Sequence, residues 1–125
     1  MDIVDTDRFA RVLERTPGLV PRVFTVREVE LSGGERLRPA SLAARWAAKE
    51  AVSKALVRTS GLQWHDCEVL TGPHGEPVLS MRGTVAAAAE AMGIGHWAIS
   101  LSHDGHMAIA VVVASTVSGD VGDSR

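Results

Sequence analysis

The sequence predicts an α+β domain in which an antiparallel sheet packs against one long central helix. Three observations carry this. Helical periodicity dominates the first half of the chain. Its longest run, residues 41–56, carries Ala44, Ala48, Ala51 and Ala55 on one stripe at roughly 100° per residue, which lets the helix approach a neighbour closely. The second half changes to short runs with strand alternation, bounded by turn residues. With 125 residues, 46% of them hydrophobic, the chain holds one domain with a substantial core, assigned to residues 1–114. The polar, glycine-bearing stretch 115–125 is expected to be a disordered tail.

In order, Asp2-Ile3-Val4 reads as the end of a short strand and residues 6–14 as a helix with Phe9, Val12 and Leu13 on its apolar face. Its other face is basic: Arg8, Arg11 and Arg15 stand at i, i+3 and i+7. Residues 8–27 hold five arginines against the single carboxylate of Glu14. That stripe is either a solvated face or a docking surface for an acidic partner. Pro17-Gly18 breaks this helix, and Thr25-Val26-Arg27-Glu28 has capping-box spacing, so a second short helix should run to about Leu31 and stop at Ser32-Gly33-Gly34. Pro39 fits the first turn of the long helix. Residues 67–70 and 77–81 form a hairpin, Thr84 caps a helix over residues 85–92, and Gly93 and Gly95 end it. In residues 96–102, Trp97, Ile99 and Leu101 alternate with small residues as in a strand. Residues 107–114 are almost wholly apolar, as a strand covered on both faces would be. Three or four strands in one sheet leave that strand in need of a neighbour, which points to oligomerisation.

Composition excludes several classes. A formal net charge of −2 argues against a nucleic-acid binder, and no apolar run approaches the roughly 20 residues that span a bilayer. Asp2, Asp5, Asp7, Arg8 and Arg11 interrupt any signal-peptide core, so a cytoplasmic location is expected. The single cysteine, Cys67, cannot form an internal disulfide and reads as structural.

The chemistry gathers on the long helix. Glu50 and Lys54 lie one turn apart on the face opposite the alanines, with Trp46 one turn earlier and Arg45, Lys49 and Ser53 on the same polar arc. Taken alone, Glu50 and Lys54 are also what a surface ion pair looks like. Asp2, at the end of the first strand, is the carboxylate to bring against Glu50. Two such groups repel unless protonated or bridged by a cation. Mg²⁺ is the natural bridge, since it takes one or two carboxylates and fills its shell with water and phosphate oxygens. Lys54 would then stand near the phosphates, which implies phosphoryl or nucleotidyl chemistry.

The run W-A-A-K-E-A-V-S-K at residues 46–54 resembles the signature of the 4'-phosphopantetheinyl transferases. Further matches follow in family order: Asp2-Ile3-Val4, Arg8, Phe24-Thr25 with Glu28, Trp64 and Asp66, Gly75 and Pro77, and Ser100-Leu101-Ser102-His103. Length and order look like the small bacterial trimeric branch, the holo-acyl-carrier-protein synthases. The resemblance implies the transferase fold and an enzyme that moves the phosphopantetheine arm of coenzyme A to a serine of apo acyl carrier protein, leaving adenosine 3',5'-bisphosphate, in fatty-acid or polyketide biosynthesis. It implies Mg²⁺ on Asp2 and Glu50, with Glu50, directly or through water, as the base and Lys54 stabilising the transferring phosphate. Arg45, Lys49, Ser102 and His103 are the implied coenzyme contacts, although Lys49 would equally serve as a structural ion-pair partner and His103, placed at a site shared between subunits of a homotrimer, would equally cap a turn with Asp104. Arg8, Arg11 and Arg15 become the surface for the acidic carrier protein. His74 and His106 match nothing and are expected in solvent.

Two departures stand out. Family members usually begin a few residues earlier, with a glycine-containing strand, whereas here Met1 directly precedes Asp2. The family often follows the signature lysine with Ala-Leu-Gly-Thr-Gly, and this chain has Ala55-Leu56-Val57-Arg58-Thr59-Ser60-Gly61, where the charge of Arg58 stands in for backbone donors. The competing class is a non-catalytic trimer that recognises acidic carrier proteins or nucleotides, and it would have no use for the Asp2–Glu50 pair.

Overall fold

The computed structural model describes residues 1–30, 36–57 and 60–116. Strand β1 (Asp2–Asp5) passes directly into helix α1 (Thr6–Arg15), because Asp5 in extended backbone turns its carboxylate onto the Arg8 amide at 2.9 Å and caps the helix. After Pro17-Gly18 comes a five-residue helix, α2 (Leu19–Val23), too short for any periodicity to announce it. Thr25 and Glu28 form the expected capping box of α3 (Val26–Val29). This helix ends at Val29, short of the expected Leu31, because Glu30 is already extended and bridges Arg36; the expected stop at Ser32-Gly33-Gly34 lies outside the described residues, as do Arg58 and Thr59. Helix α4 (Pro39–Ala55) takes Pro39 in its first turn, as expected.

The hairpin of β2 (Cys67–Thr71) and β3 (Pro77–Met81) forms as predicted. Helix α5 (Gly83–Ala91) begins before the expected Thr84 cap. The capping oxygen belongs instead to Asp66, which accepts from both the amide and the hydroxyl of Thr84 at 2.8 Å. Gly83 bridges the two at φ +51, where a Cβ would sit 2.5 Å from the Asp66 carboxylate. Strands β4 (Ile94–Asp104) and β5 (Met107–Thr116) complete the chain. Ser115 and Thr116 therefore belong to a strand rather than to the expected tail, since both remain in the ladder opposite His96 and Ile94. Residues 117–125 are outside the described set.

The strands make two sheets, not one. A three-stranded antiparallel sheet has the order β1-β5-β4, and β2-β3 stands apart as a ribbon. Helix α4 packs on the first: Ala43, Ala47 and Ala48 are fully buried, as are Ala108 and Ala110 of β5. Methyl against methyl brings the helix close to the sheet. Of the predicted stripe Ala44, Ala48 and Ala51 are buried and Ala55 only partly so, while Ala43 and Ala47 widen it. The expectation for β5 needs correction. Only its Ala108 and Ala110 face is covered; Val111 and Val113 are 39% and 53% exposed on the other, beside exposed Met107 and Ile3.

Candidate active site

The register of the sheet positions the site. Asp2 pairs with Ala110, which pairs across with Leu101, so Asp2 stands on the sheet face that α4 covers. Glu50, five residues from the end of α4, comes within hydrogen-bonding reach of Asp2. Burial, the hydrogen bond to Asp2 and the negative charge of Asp2 push the Glu50 carboxyl up from 4.5 to about 7, against the opposing pull of Lys54. The Lys54 ammonium sits 2.5 Å from Asp2 Oδ1, and that contact raises its own pKa. Asp2 is nearly buried while Lys54 is mostly exposed. The acid, its partner carboxylate and the lysine thus form one cluster at the edge of α4.

Beside it opens a cavity of about 590 Å³ between α1, α2 and α4. Phe9, Val12, Phe24 and Trp46 supply apolar walls, and Asp5, Arg8 and Glu50 supply the charge. Trp46 is held against Trp64 with ring centroids 4.8 Å apart. Of the three α1 arginines, Arg8 alone lines this cavity, while Arg11 and Arg15 project into solvent farther along the helix.

Lys49 does something other than contact a coenzyme. Its side chain is wholly buried and its ammonium donates to Glu28 Oε1 at 2.8 Å, to the Trp64 carbonyl at 2.9 Å and to the Cys67 carbonyl at 2.6 Å. An ammonium has three protons, so none is left for a phosphate. Arg45 is also buried. It donates from Nη2 to Thr71 Oγ1 at 2.7 Å, and its Nε is buried without a partner among the described residues. Burial lowers its pKa. Ser102 and His103 lie exposed near the end of β4, on alternate faces of the strand, and neither lines the cavity beside Glu50. His74 is exposed as expected; His106 is exposed too, but its Nδ1 lies 2.7 Å from Asp7 on α1. Cys67 is buried, and desolvation pushes its thiol up to about 11, which suits a structural residue.

No group of three or more His, Cys, Asp or Glu able to hold a metal occurs among the described residues. The pair of Asp2 and Glu50 nevertheless fits Mg²⁺, an ion that takes few protein oxygens and leaves room for phosphate. Glu28 is the residue that sequence reasoning undervalued. Its capping role was legible locally, but its bond to Lys49 spans 21 positions and leaves no local signal.

The family model of the 4'-phosphopantetheinyl transferase superfamily matches residues 1–112. The chain belongs to this superfamily. A holo-[acyl-carrier-protein] synthase of Frankia casuarinae is 54% identical over 116 residues, which cover 93% of this chain and 94% of the relative. Among solved structures, the Helicobacter pylori holo-[acyl-carrier-protein] synthase in complex with coenzyme A superposes with a TM-score of 0.77 at 30% identity, covering 91% of this chain and 96% of that one. A synthase–coenzyme A complex from Chronobacterium ammoniagenes gives 0.75, also at 30% identity, covering 94% and 95%. The resemblance noted in the sequence is therefore borne out, with its mixed helix and antiparallel sheet fold and its expectation of an enzyme of the holo-acyl-carrier-protein synthase kind. No helix among the described residues is long and apolar enough to cross a membrane.

Proposed function

We propose that this chain transfers the 4'-phosphopantetheine arm of coenzyme A to a serine hydroxyl of an apo acyl carrier protein, releasing adenosine 3',5'-bisphosphate. The observation that carries the reading is the meeting of Glu50, Asp2 and Lys54 at the mouth of a cavity that Arg8 also lines. Glu50 is the residue placed to accept the serine proton, directly or through a water molecule. Lys54, exposed and charged, stands where it can meet the transferring phosphate once Asp2 turns to a metal. Mg²⁺ held by Asp2 and Glu50 would neutralise charge on that phosphate. Lys49, its three protons engaged, is withdrawn from the coenzyme contacts expected from sequence, and the buried Nε of Arg45 is closed off from solvent and supports no anion contact.

Arg8, with Arg11 and Arg15 behind it, is the docking face for an acidic carrier, and the apolar walls beside it receive the carrier's own apolar side chains. The exposed outer face of the sheet, with Ile3, Met107, Val111 and Val113, is an interface between copies of a homotrimer. Ser102 and His103 would join the coenzyme site across that interface. A cytoplasmic place in fatty-acid or polyketide synthesis follows from such a substrate pair. The test is incubation with Mg²⁺, coenzyme A and apo carrier protein, followed by mass spectrometry of the carrier. Addition of one phosphopantetheine is expected; its absence beside an active control enzyme would leave the non-catalytic trimer as the reading.

A further inference from the structure

The face of α4 that meets the sheet is smooth. Ala43, Ala47, Ala48 and Ala51 are 0–2% exposed, and Ala108 and Ala110 face them. Ile99 and Leu101 of the sheet pack against these methyls, but α4 itself puts no long side chain into the sheet between Ala43 and Val52, so this stretch permits close approach and resists rotation of the helix about its axis only weakly. Glu50 needs that rotation held. A carboxylate about 5–6 Å from a helix axis moves about 1 Å for each ten degrees of turn. Displacement of that size at a reacting group can cost ~100-fold in rate.

The buried pair described above supplies the missing restraint. Lys49 precedes Glu50 and so projects about 100° away from it around the helix. Its three bonds reach three different parts of the chain: Glu28 in α3, Trp64 in the turn before β2, and Cys67 in β2 itself. Glu28 is anchored in turn. Its Oε1 also accepts from the Thr25 amide at 3.0 Å and its Oε2 from the Val69 amide at 2.9 Å. Neither side chain has solvent exposure. The Lys49 ammonium further lies 5.4 Å from the centre of the Phe24 ring, a wall of the cavity beside Glu50. Hydrogen bonds are directional where methyl contacts are not, and a buried pair left with one member is strongly destabilised.

We infer that Glu28 and Lys49 are positioning residues, a buried strut that sets the rotation of α4 and thereby aims Glu50 at Asp2. This deepens the proposed transferase reading and rests on it. Transfer by the unaltered protein tests that reading alone; the strut is tested by comparing variants with the unaltered protein. In Glu28→Gln/Lys49→Met both charges are removed at nearly constant volume. With near-UV circular dichroism intact, kcat is expected to fall ~30–100-fold while KM for coenzyme A stays within about threefold. The affinity of the folded variant for Mn²⁺, read by electron paramagnetic resonance of the free ion, should weaken about tenfold, the order of loss seen when groups orienting a metal ligand are removed. Loss of stability alone would lower the active fraction and leave the Mn²⁺ affinity of the folded molecules unchanged. A folded variant with kcat and Mn²⁺ affinity both within about twofold of the unaltered protein would overturn the inference. Should the double variant not fold, Glu28→Gln alone keeps the side-chain volume and one acceptor for Thr25 and Lys49 but loses the charge and the acceptor for the Val69 amide, and the same split is expected at about fivefold, with the same refuting result.

Discussion

Glu50→Gln should stabilise the protein at alkaline pH while abolishing transfer. Glu50 is partly desolvated and faces Asp2, and its pKa stands at about 7 against an ordinary 4.5. A carboxyl raised on folding favours the native state while it is protonated in both states. That contribution is present in full below pH 4.5 and is lost as pH climbs through 7. The full shift corresponds to ~3 kcal/mol. Much of the group still meets solvent, and screening reduces the effect to about 1–2 kcal/mol. Glutamine keeps the shape and can donate to Asp2 without the charge. At pH 8, with a chelator present and protein concentration fixed, the variant should melt roughly 4–8 °C above the unaltered protein. At pH 4.5 and below the two should melt together. Adding Mg²⁺ at pH 8 should raise the Tm of the unaltered protein more than that of the variant, because the ion removes the same repulsion. Scanning calorimetry across pH 4–8 measures all of this. An unchanged or lower Tm for Glu50→Gln at pH 8 would refute the claim that Asp2 and burial together strain this carboxylate.

Three further predictions address the rest of the surface. Arg8→Glu should weaken carrier-protein binding at least tenfold with little change in coenzyme A binding, and added salt should narrow the gap with the unaltered protein; calorimetric titration of each ligand measures this, and equal loss of both would remove the docking assignment. Val57 sits at φ +55 and 81% exposed, a left-handed position that a β-branched side chain adopts at a cost, so Val57→Asn should stabilise by about 1 kcal/mol in urea titration, and a destabilised variant would contradict it. Val111→Lys places a charge on the open face of β5 and, on the proposed homotrimer reading, should shift sedimentation from trimer to monomer without changing the far-UV spectrum; an assembly that survives intact would place the proposed interface elsewhere.

Most elements were legible because their signals are local. The capping box of Thr25 and Glu28, Pro39 at the head of α4 and the alternation of Trp97, Ile99 and Leu101 each lie within a few residues, and each element formed where expected. The exceptions share a cause. Helix α2 is too short to repeat a period, and the cap of α5 comes from Asp66, 18 positions before Thr84. Strand β5 reads as buried on both faces because apolarity alone does not distinguish a face covered by the chain's own helix from one left open.

By itself the sequence determined the composition of the site: an acid and a base one turn apart on the long helix, a tryptophan one turn earlier, and an aspartate at the start of the chain, in an order that resembles one family. Tertiary structure alone decided which side chains those roles leave over. Lys49 and Glu50 are neighbours on one polar arc and look alike in sequence. In the folded chain α4 lies on Ala108 and Ala110 with Glu50 towards Asp2 and Lys49 in the interior, where three acceptors from distant segments saturate it. Whether a charged side chain meets substrate or braces the fold depends on which partners converge on it across the chain, and helical spacing carries no record of them.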